Sequence, residues 1–190
     1  MILEFDRHFF LLLNSLAGKA SWSDFSIRFL ASNYAILIGG IIVLIWYWRV
    51  SIARYSKTNK EFIYLLFNIL IAAVLSRLII TEGVRFFINL SRPFEIIAST
   101  NQIIAHAAGH SFPSGHAAFA FAIAASLSYH IPQVRLFLLS IAVLNSLARI
   151  AGGVHWPSDM MVGAVIGMLS GWIAERTIIS LQRIKKPLEN

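Results

Sequence analysis

His155 and Asp159 stand four residues apart, with Pro157 between them at what reads as the first turn of a helix. From there the carboxylate can turn back to one ring nitrogen, fix the tautomer and leave the other nitrogen free to attack. Alone, the pair fits a helix-capping aspartate beside an interfacial histidine equally well. Arg149 lies six residues before His155, and alone it could snorkel or pair with Asp159. Arg85 and Arg92 add two further cations, and three guanidiniums converging on one point match the equatorial oxygens of a transferring phosphoryl group. Pro113-Ser114-Gly115-His116 adds the remaining parts. Gly115 permits close backbone approach, amides at a helix start point at an anion, Ser114 offers a hydroxyl, and His116 is placed to protonate a leaving oxygen. Together these residues have what phosphoryl transfer needs.

The three stretches interrupt long apolar runs, where charge and imidazole are costly and mark function by default. Of 190 residues, 57% are hydrophobic and 13% charged, at a mean hydropathy of +0.70, which indicates an integral membrane protein rather than a soluble domain. Phe29–Trp48 runs twenty residues without a charge, matching as a helix a hydrocarbon core of about 30 Å. Phe62–Ser76, extended past Arg77 to Ile80, gives a second span, Ala117–Tyr129 a shorter third, Leu136–Ala148 a fourth and Met160–Ala174 a fifth. Ile2, Phe5, Phe9, Leu12, Leu13 and Leu16 recur at helical spacing opposite Glu4, Asp6, Arg7 and Asn14. That pattern suits an amphipathic helix on the membrane surface, with a sixth short span as the alternative. The opening residues lack the basic lead and cleavage site of a signal peptide. The expected fold is therefore all-α: a compact bundle of about five transmembrane helices plus an N-terminal amphipathic interfacial helix, one domain over residues 1–190, with 1–20 interfacial and 62–172 the catalytic core. Gly163, Gly167 and Gly171 share one face of the fifth span, for close packing within the chain or at a dimer face.

The net charge of +7 is placed for a membrane, not for nucleic acid. Arg49, Arg54, Lys57, Lys60, Arg135, Arg176, Arg183, Lys185 and Lys186 all fall on one side of a five-span topology, which makes that side cytoplasmic. Trp46, Trp48 and Trp172 suit an interfacial belt. The three polar stretches then meet at the outer face, periplasmic or exterior. Cysteine is absent, so thiolate chemistry is excluded.

The set resembles the type 2 phosphatidic acid phosphatase family of membrane lipid phosphatases. That family's Lys-x6-Arg-Pro, Pro-Ser-Gly-His and Ser-Arg-x5-His-x3-Asp motifs stand here as Arg85-x6-Arg92-Pro93, Pro113-Ser114-Gly115-His116 and Ala148-Arg149-x5-His155-x3-Asp159. The resemblance spans roughly Phe62 to Trp172. It implies His155 as the nucleophile of a phosphohistidine, Asp159 as its orienting group and His116 as general acid. It also implies Arg85, Arg92, Arg149, Ser114 and the Gly115 backbone as phosphate ligands, with no cofactor and no metal. Arg85 replaces the usual lysine with a planar fork, and Ala148 replaces the usual serine. The implied substrate is a bilayer lipid phosphate. Small bacterial members act on undecaprenyl diphosphate in the cell membrane, and others on phosphatidylglycerophosphate, phosphatidate or the 1-phosphate of lipid A. Two rival readings are a lipid phosphotransferase and a non-catalytic anion-binding or transport protein.

His106 and His110, four apart, have no third metal ligand in the pattern and read as surface or headgroup residues. Glu82 reads as the ion-pair partner of Arg85. His8 and His130 stand without chemistry-bearing neighbours, the Arg92–Ser111 loop is long enough to fold over the outer mouth, and oligomeric state leaves no signal.

Overall fold

The computed structural model describes residues 4–32, 34–54 and 58–185, and every regular element among them is helical. In chain order these are α1 (Glu4–Asn14), α2 (Ser21–Ala31), α3 (Tyr34–Arg54), α4 (Thr58–Val74), a π turn (Leu75–Ile80), α5 (Thr81–Phe87), α6 (Pro93–Ile96), α7 (Gly115–His130), a 3-10 turn (Pro132–Val134), α8 (Arg135–Ala151) and α9 (Pro157–Lys185). Three stretches, Phe62–Phe87, Pro132–Ala151 and Pro157–Gln182, are long and apolar enough to cross a membrane, and α2 with α3 makes a fourth if the bent pair counts as one. Lys57 and Lys186 lie outside the described residues, as do the side chains of Arg54, Lys60, Arg183 and Lys185.

α7 is the axis of the bundle. Its 16 residues make about 24 Å of helix, short of a full crossing, but α4, α8 and α9 enclose it, so its alanine-rich surface is buried nearly all round. The α9 glycines let it approach most closely. A Cβ at Gly163 would sit 2.6 Å from the Ser114 carbonyl, one at Gly171 2.8 Å from Ala125, and one at Gly167 closer still to the Ala118 carbonyl. The stripe therefore packs within the chain.

Sequence periodicity misread two places. Phe29–Trp48 is not one straight helix: α2 and α3 are bent by 60°. The carbonyls freed at the end of α2 are taken by α8, where Asn145 Nδ2 donates to Leu30 O at 2.7 Å and Ser32 O at 2.9 Å and Arg149 Nη1 to Ala31 O at 3.0 Å. A break inside an apolar layer is tolerated because neighbours satisfy the backbone in this way. The second span does not end at Ile80 but runs on through the π turn to Phe87, with the Thr81 hydroxyl donating to the Ser76 carbonyl at 2.7 Å. The amphipathic helix expected at the N-terminus is α1, which turns Asp6 and Asn14 to the bundle and leaves Glu4 and Arg7 exposed. Asp6, Phe10 and Asn14 are buried while Phe5, Phe9, Leu12 and Leu16 are exposed. Asp6 Oδ1 accepts from Ser158 N at 2.8 Å and so caps α9, and Asn14 Nδ2 donates to Ala151 O at 2.8 Å.

His130, expected to stand alone, does not. Its Nε2 lies 3.0 Å from Glu175 Oε2, which also accepts from Asn68 Nδ2 at 2.6 Å. This contact ties α4, α7 and α9 together at the far end from the three motifs.

Candidate active site

Pro157 opens α9 as the sequence predicts, which puts Asp159 in the first turn facing back at the preceding loop. Its Oδ2 is 3.0 Å from His155 Nδ1 and accepts from Trp156 N at 2.9 Å and from the Ser111 hydroxyl in a short contact. Both His155 and Asp159 are fully enclosed, at 1% and 0% exposure. On the other side of the ring, Arg92 Nη1 lies 3.2 Å from His155 Nε2. A guanidinium only donates, so Nε2 must be the unprotonated nitrogen and Nδ1 carries the hydrogen toward Asp159. The free lone pair therefore faces the cations.

Arg92 is mostly spoken for. Its Nε donates to Gly109 O at 3.0 Å, Nη2 to His110 O at 3.1 Å and Nη1 to Val154 O at 2.8 Å. It thus folds the 92–111 loop onto the site while facing His155. Glu95 completes this, accepting from the amides of Arg92 at 2.7 Å and Gly109 at 3.0 Å, which hold its carboxyl below the usual range. The folded loop brings His106 edge-on to His155, with ring centroids 6.1 Å apart, while His110 contributes only its carbonyl.

Arg149 is 3% exposed, and beyond the Ala31 carbonyl its Nε and Nη2 have no partner among the described residues. Two buried cationic donors without an acceptor are costly unless an anion fills the place. Arg85 lies on the last turn of α5, donating to Pro113 O at 3.1 Å through Nη2 and to Glu82 Oε1 at 3.1 Å through Nη1. It therefore tethers the first motif to the second. Ser114 caps α7 by accepting from Ala117 N at 3.4 Å, and its own amide donates to Asp159 O at 3.0 Å, joining the second motif to the third. His116 follows in the first turn of α7, within Coulombic range of Arg149, Arg77 and Arg85. The structure thus gathers all eight sequence-predicted residues at one end of the bundle. Among the described residues no cluster of metal-ligand type occurs.

Sequence reading missed Ser111, Asp6, His106 as a neighbour of His155, and Arg77. For Ser111 and Asp6 no local signal exists, since their partners lie 48 and 152 residues away. Arg77 did carry one, a bare charge inside an apolar run.

Burial, then the charges of Arg149 and Arg92, push the His155 imidazole well below its ordinary 6.5 despite the carboxylate behind it. Burial likewise lowers His106, and lowers Arg92 to about 10, which leaves Arg92 cationic at neutral pH. A depressed value keeps the ring neutral to lower pH. In isotope-labelled histidine NMR, the resonance lost in His155→Ala is expected to hold the neutral Nδ1–H signature down through pH 6.5. Protonation above pH 7 would contradict this environment.

The PAP2 superfamily model matches residues 62–181. The undecaprenyl-diphosphatase BcrC of Bacillus subtilis is 28% identical over 167 residues, covering 86% of this chain and 79% of that protein. The crystal structure of Aquifex aeolicus LpxE superposes with a TM-score of 0.70 at 27% identity, covering 92% of this chain and 96% of that one. A transmembrane PAP2 type phosphatidylglycerolphosphate phosphatase from Bacillus subtilis shares the fold, with a TM-score of 0.58 at 19% identity over 91% of this chain and 84% of that one.

Proposed function

From the premise that this chain belongs to the PAP2 superfamily, as a multi-pass membrane enzyme that dephosphorylates membrane lipids, we propose that it hydrolyses undecaprenyl diphosphate to undecaprenyl phosphate at the outer face of the bacterial cell membrane. The observation that carries the chemistry is the pair of orphaned Arg149 nitrogens, buried with a histidine whose Nδ1 is held by Asp159 and whose unprotonated Nε2 faces Arg92.

His155 Nε2 attacks the terminal phosphorus as the P–O bond to the lipid breaks, and the departing oxygen takes the electron pair and the proton of His116. Arg149, Arg92 and Arg85, with the Ser114 hydroxyl and the Gly115 amide, stabilise the charge spread over the equatorial oxygens. Water then adds to the phosphohistidine, its proton passes to His116, the P–N bond returns its electron pair to Nε2 and inorganic phosphate leaves.

The polyprenyl choice is supported by the name of the Bacillus subtilis relative and by an apolar groove of about 230 Å³ beside Pro157, lined by Phe9, Phe121, Ile150 and Met160 among others. The outward orientation is supported by Arg135 and Arg176, exposed at the end away from the site. Phosphatidylglycerophosphate, phosphatidate and lipid A 1-phosphate are the competing substrates.

The test is phosphate release by the detergent-purified protein with a chelator present, from undecaprenyl diphosphate, phosphatidylglycerophosphate and phosphatidate in parallel. Release is expected without added metal or acceptor alcohol, and fastest from the diphosphate. A requirement for an acceptor alcohol would make the enzyme a transferase, and a preference for another lipid would replace the polyprenyl assignment.

A further inference from the structure

Arg77 is a fourth guanidinium at this site that no motif contains. It sits in the π turn, and this explains how it gets there. Side chains three or four apart share a face of an α-helix, so positions 77 and 82 would diverge, whereas a π turn aligns residues five apart. The result is a contact between Arg77 Nη1 and Glu82 Oε1 and a stack of Arg77, Glu82 and Arg85 on one face, with Glu82 3.1 Å from Arg85. One carboxylate is shared by two guanidiniums, so the stack carries an excess positive charge. The Arg77 side chain is 35% exposed, next to the lipid-facing Leu78 and Ile79, a setting in which an uncompensated cation is unfavourable.

Its head group lies against the Pro-Ser-Gly-His turn. A Cβ on residue 115 would come within 2.8 Å of Arg77 Nε and 2.9 Å of its Cζ, so the absence of a side chain at Gly115 is what admits the guanidinium. Arg77 is within Coulombic range of His116, Arg149 and Arg85. It lies beside the general acid of the proposed mechanism and away from the His155–Asp159 end. The general acid marks where the departing oxygen is. Arg77 and Arg85 reach the same Glu82 oxygen from positions eight residues apart, so their guanidiniums stand side by side at the start of α7.

We infer that Arg77 binds the lipid-linked phosphate of a diphosphate substrate, the one that departs with the tail, and so sets a preference for diphosphates over monophosphates. Arg85, Arg92 and Arg149 hold the phosphoryl group being transferred. Arg77 meets the second phosphate next to His116, taking it in exchange for Glu82 and stabilising the charge that builds on the leaving group. Phosphatidate, whose leaving group is an uncharged glycerolipid alcohol, makes no such demand.

The inference rests on the phosphatase reading and on a diphosphate being cleaved, and one experiment separates the three. kcat/KM is measured for the full-length wild type, Arg77→Gln and Arg77→Lys on undecaprenyl diphosphate and on phosphatidate. Arg77→Gln is expected to lose about 10²-fold on the diphosphate, the order of a charge-assisted hydrogen bond to a phosphate. On phosphatidate it should stay within about threefold of wild type, which also shows that it folds. Arg77→Lys should recover part of the diphosphate rate, since it keeps the charge without the fork. Equal losses on both lipids, or none on the diphosphate, overturn the inference and leave the phosphatase intact. A wild type that cleaves phosphatidate but not the diphosphate overturns the polyprenyl reading itself, and the subsite with it.

Discussion

His155→Ala is expected to end phosphate release from every lipid phosphate, with kcat lower by about 10⁴–10⁶-fold, the scale on which loss of a nucleophile or its tautomer is felt in triad enzymes. The expectation follows from how completely the ring is arranged. Asp159 holds Nδ1 at 3.0 Å, Arg92 faces Nε2 at 3.2 Å, and His155 is 1% exposed. His106 and His116 lie close by but have no carboxylate behind them in the described contacts, so neither inherits the role. The substitution leaves Arg149 and Arg85 in place, so the variant should still bind a lipid phosphate while turning none over. Phosphate-release assays read the first part, and competition with a radiolabelled lipid reads the second. In the wild type, rapid quenching should trap an acid-labile phosphoprotein that the variant lacks. Full turnover by His155→Ala would instead remove His155 as the nucleophile, whereas lipid-phosphate binding with no turnover even in the wild type would favour the anion-binding reading.

Arg149→Lys should also be strongly damaging although charge is conserved. Arg149 divides its head group between two tasks: Nη1 holds the Ala31 carbonyl at the bend between α2 and α3, while Nε and Nη2 stay free. Lysine has one ammonium on a flexible stem and cannot do both. Held by Ala31 it withdraws from the phosphate, and turned to the phosphate it leaves a buried carbonyl unpaired. We expect kcat to fall by about 10²–10³-fold, as for loss of a preorganised donor to developing charge. The melting temperature in detergent should change little, because Asn145 still holds the Leu30 and Ser32 carbonyls. A lysine variant with wild-type kcat would mean that the two orphaned nitrogens do not meet the reacting phosphate.

The parts of this site legible in the sequence are those set by local geometry. The His155-x3-Asp159 spacing across Pro157 could only put the carboxylate back on the ring once α9 began there, and it does. Pro-Ser-Gly before an apolar run foretold the capped start of α7. What escaped was of two kinds. Arg77 showed as a bare charge in an apolar run, but its pairing was hidden by the π turn, because an Arg–Glu pair five apart matches no α-helical neighbour rule and Glu82 was assigned to Arg85 alone. The bend after Ala31 left no trace in Phe29–Trp48, since what permits it comes from Asn145 and Arg149, over 110 residues later. Amphipathicity, in turn, says that α1 has two faces but not which one meets protein. The burial of Asp6 is decided by the bare amide of Ser158 at the start of α9.

That last contact has a consequence for how the enzyme is made. Asp6 reaches residue 158 and Asn14 reaches residue 151, so segments 152 and 137 residues apart close against each other. While α9 is still on the ribosome, α1 has nothing to dock Asp6 on and waits at the bilayer surface, held by Phe5, Phe9 and Leu12. The two arginines of the first motif and the Pro-Ser-Gly-His turn precede α9 in the chain, but Asp159 has yet to arrive. Assembly of the catalytic end is accordingly a closing event between distant segments, slow in the manner of all contacts between distant parts of a chain.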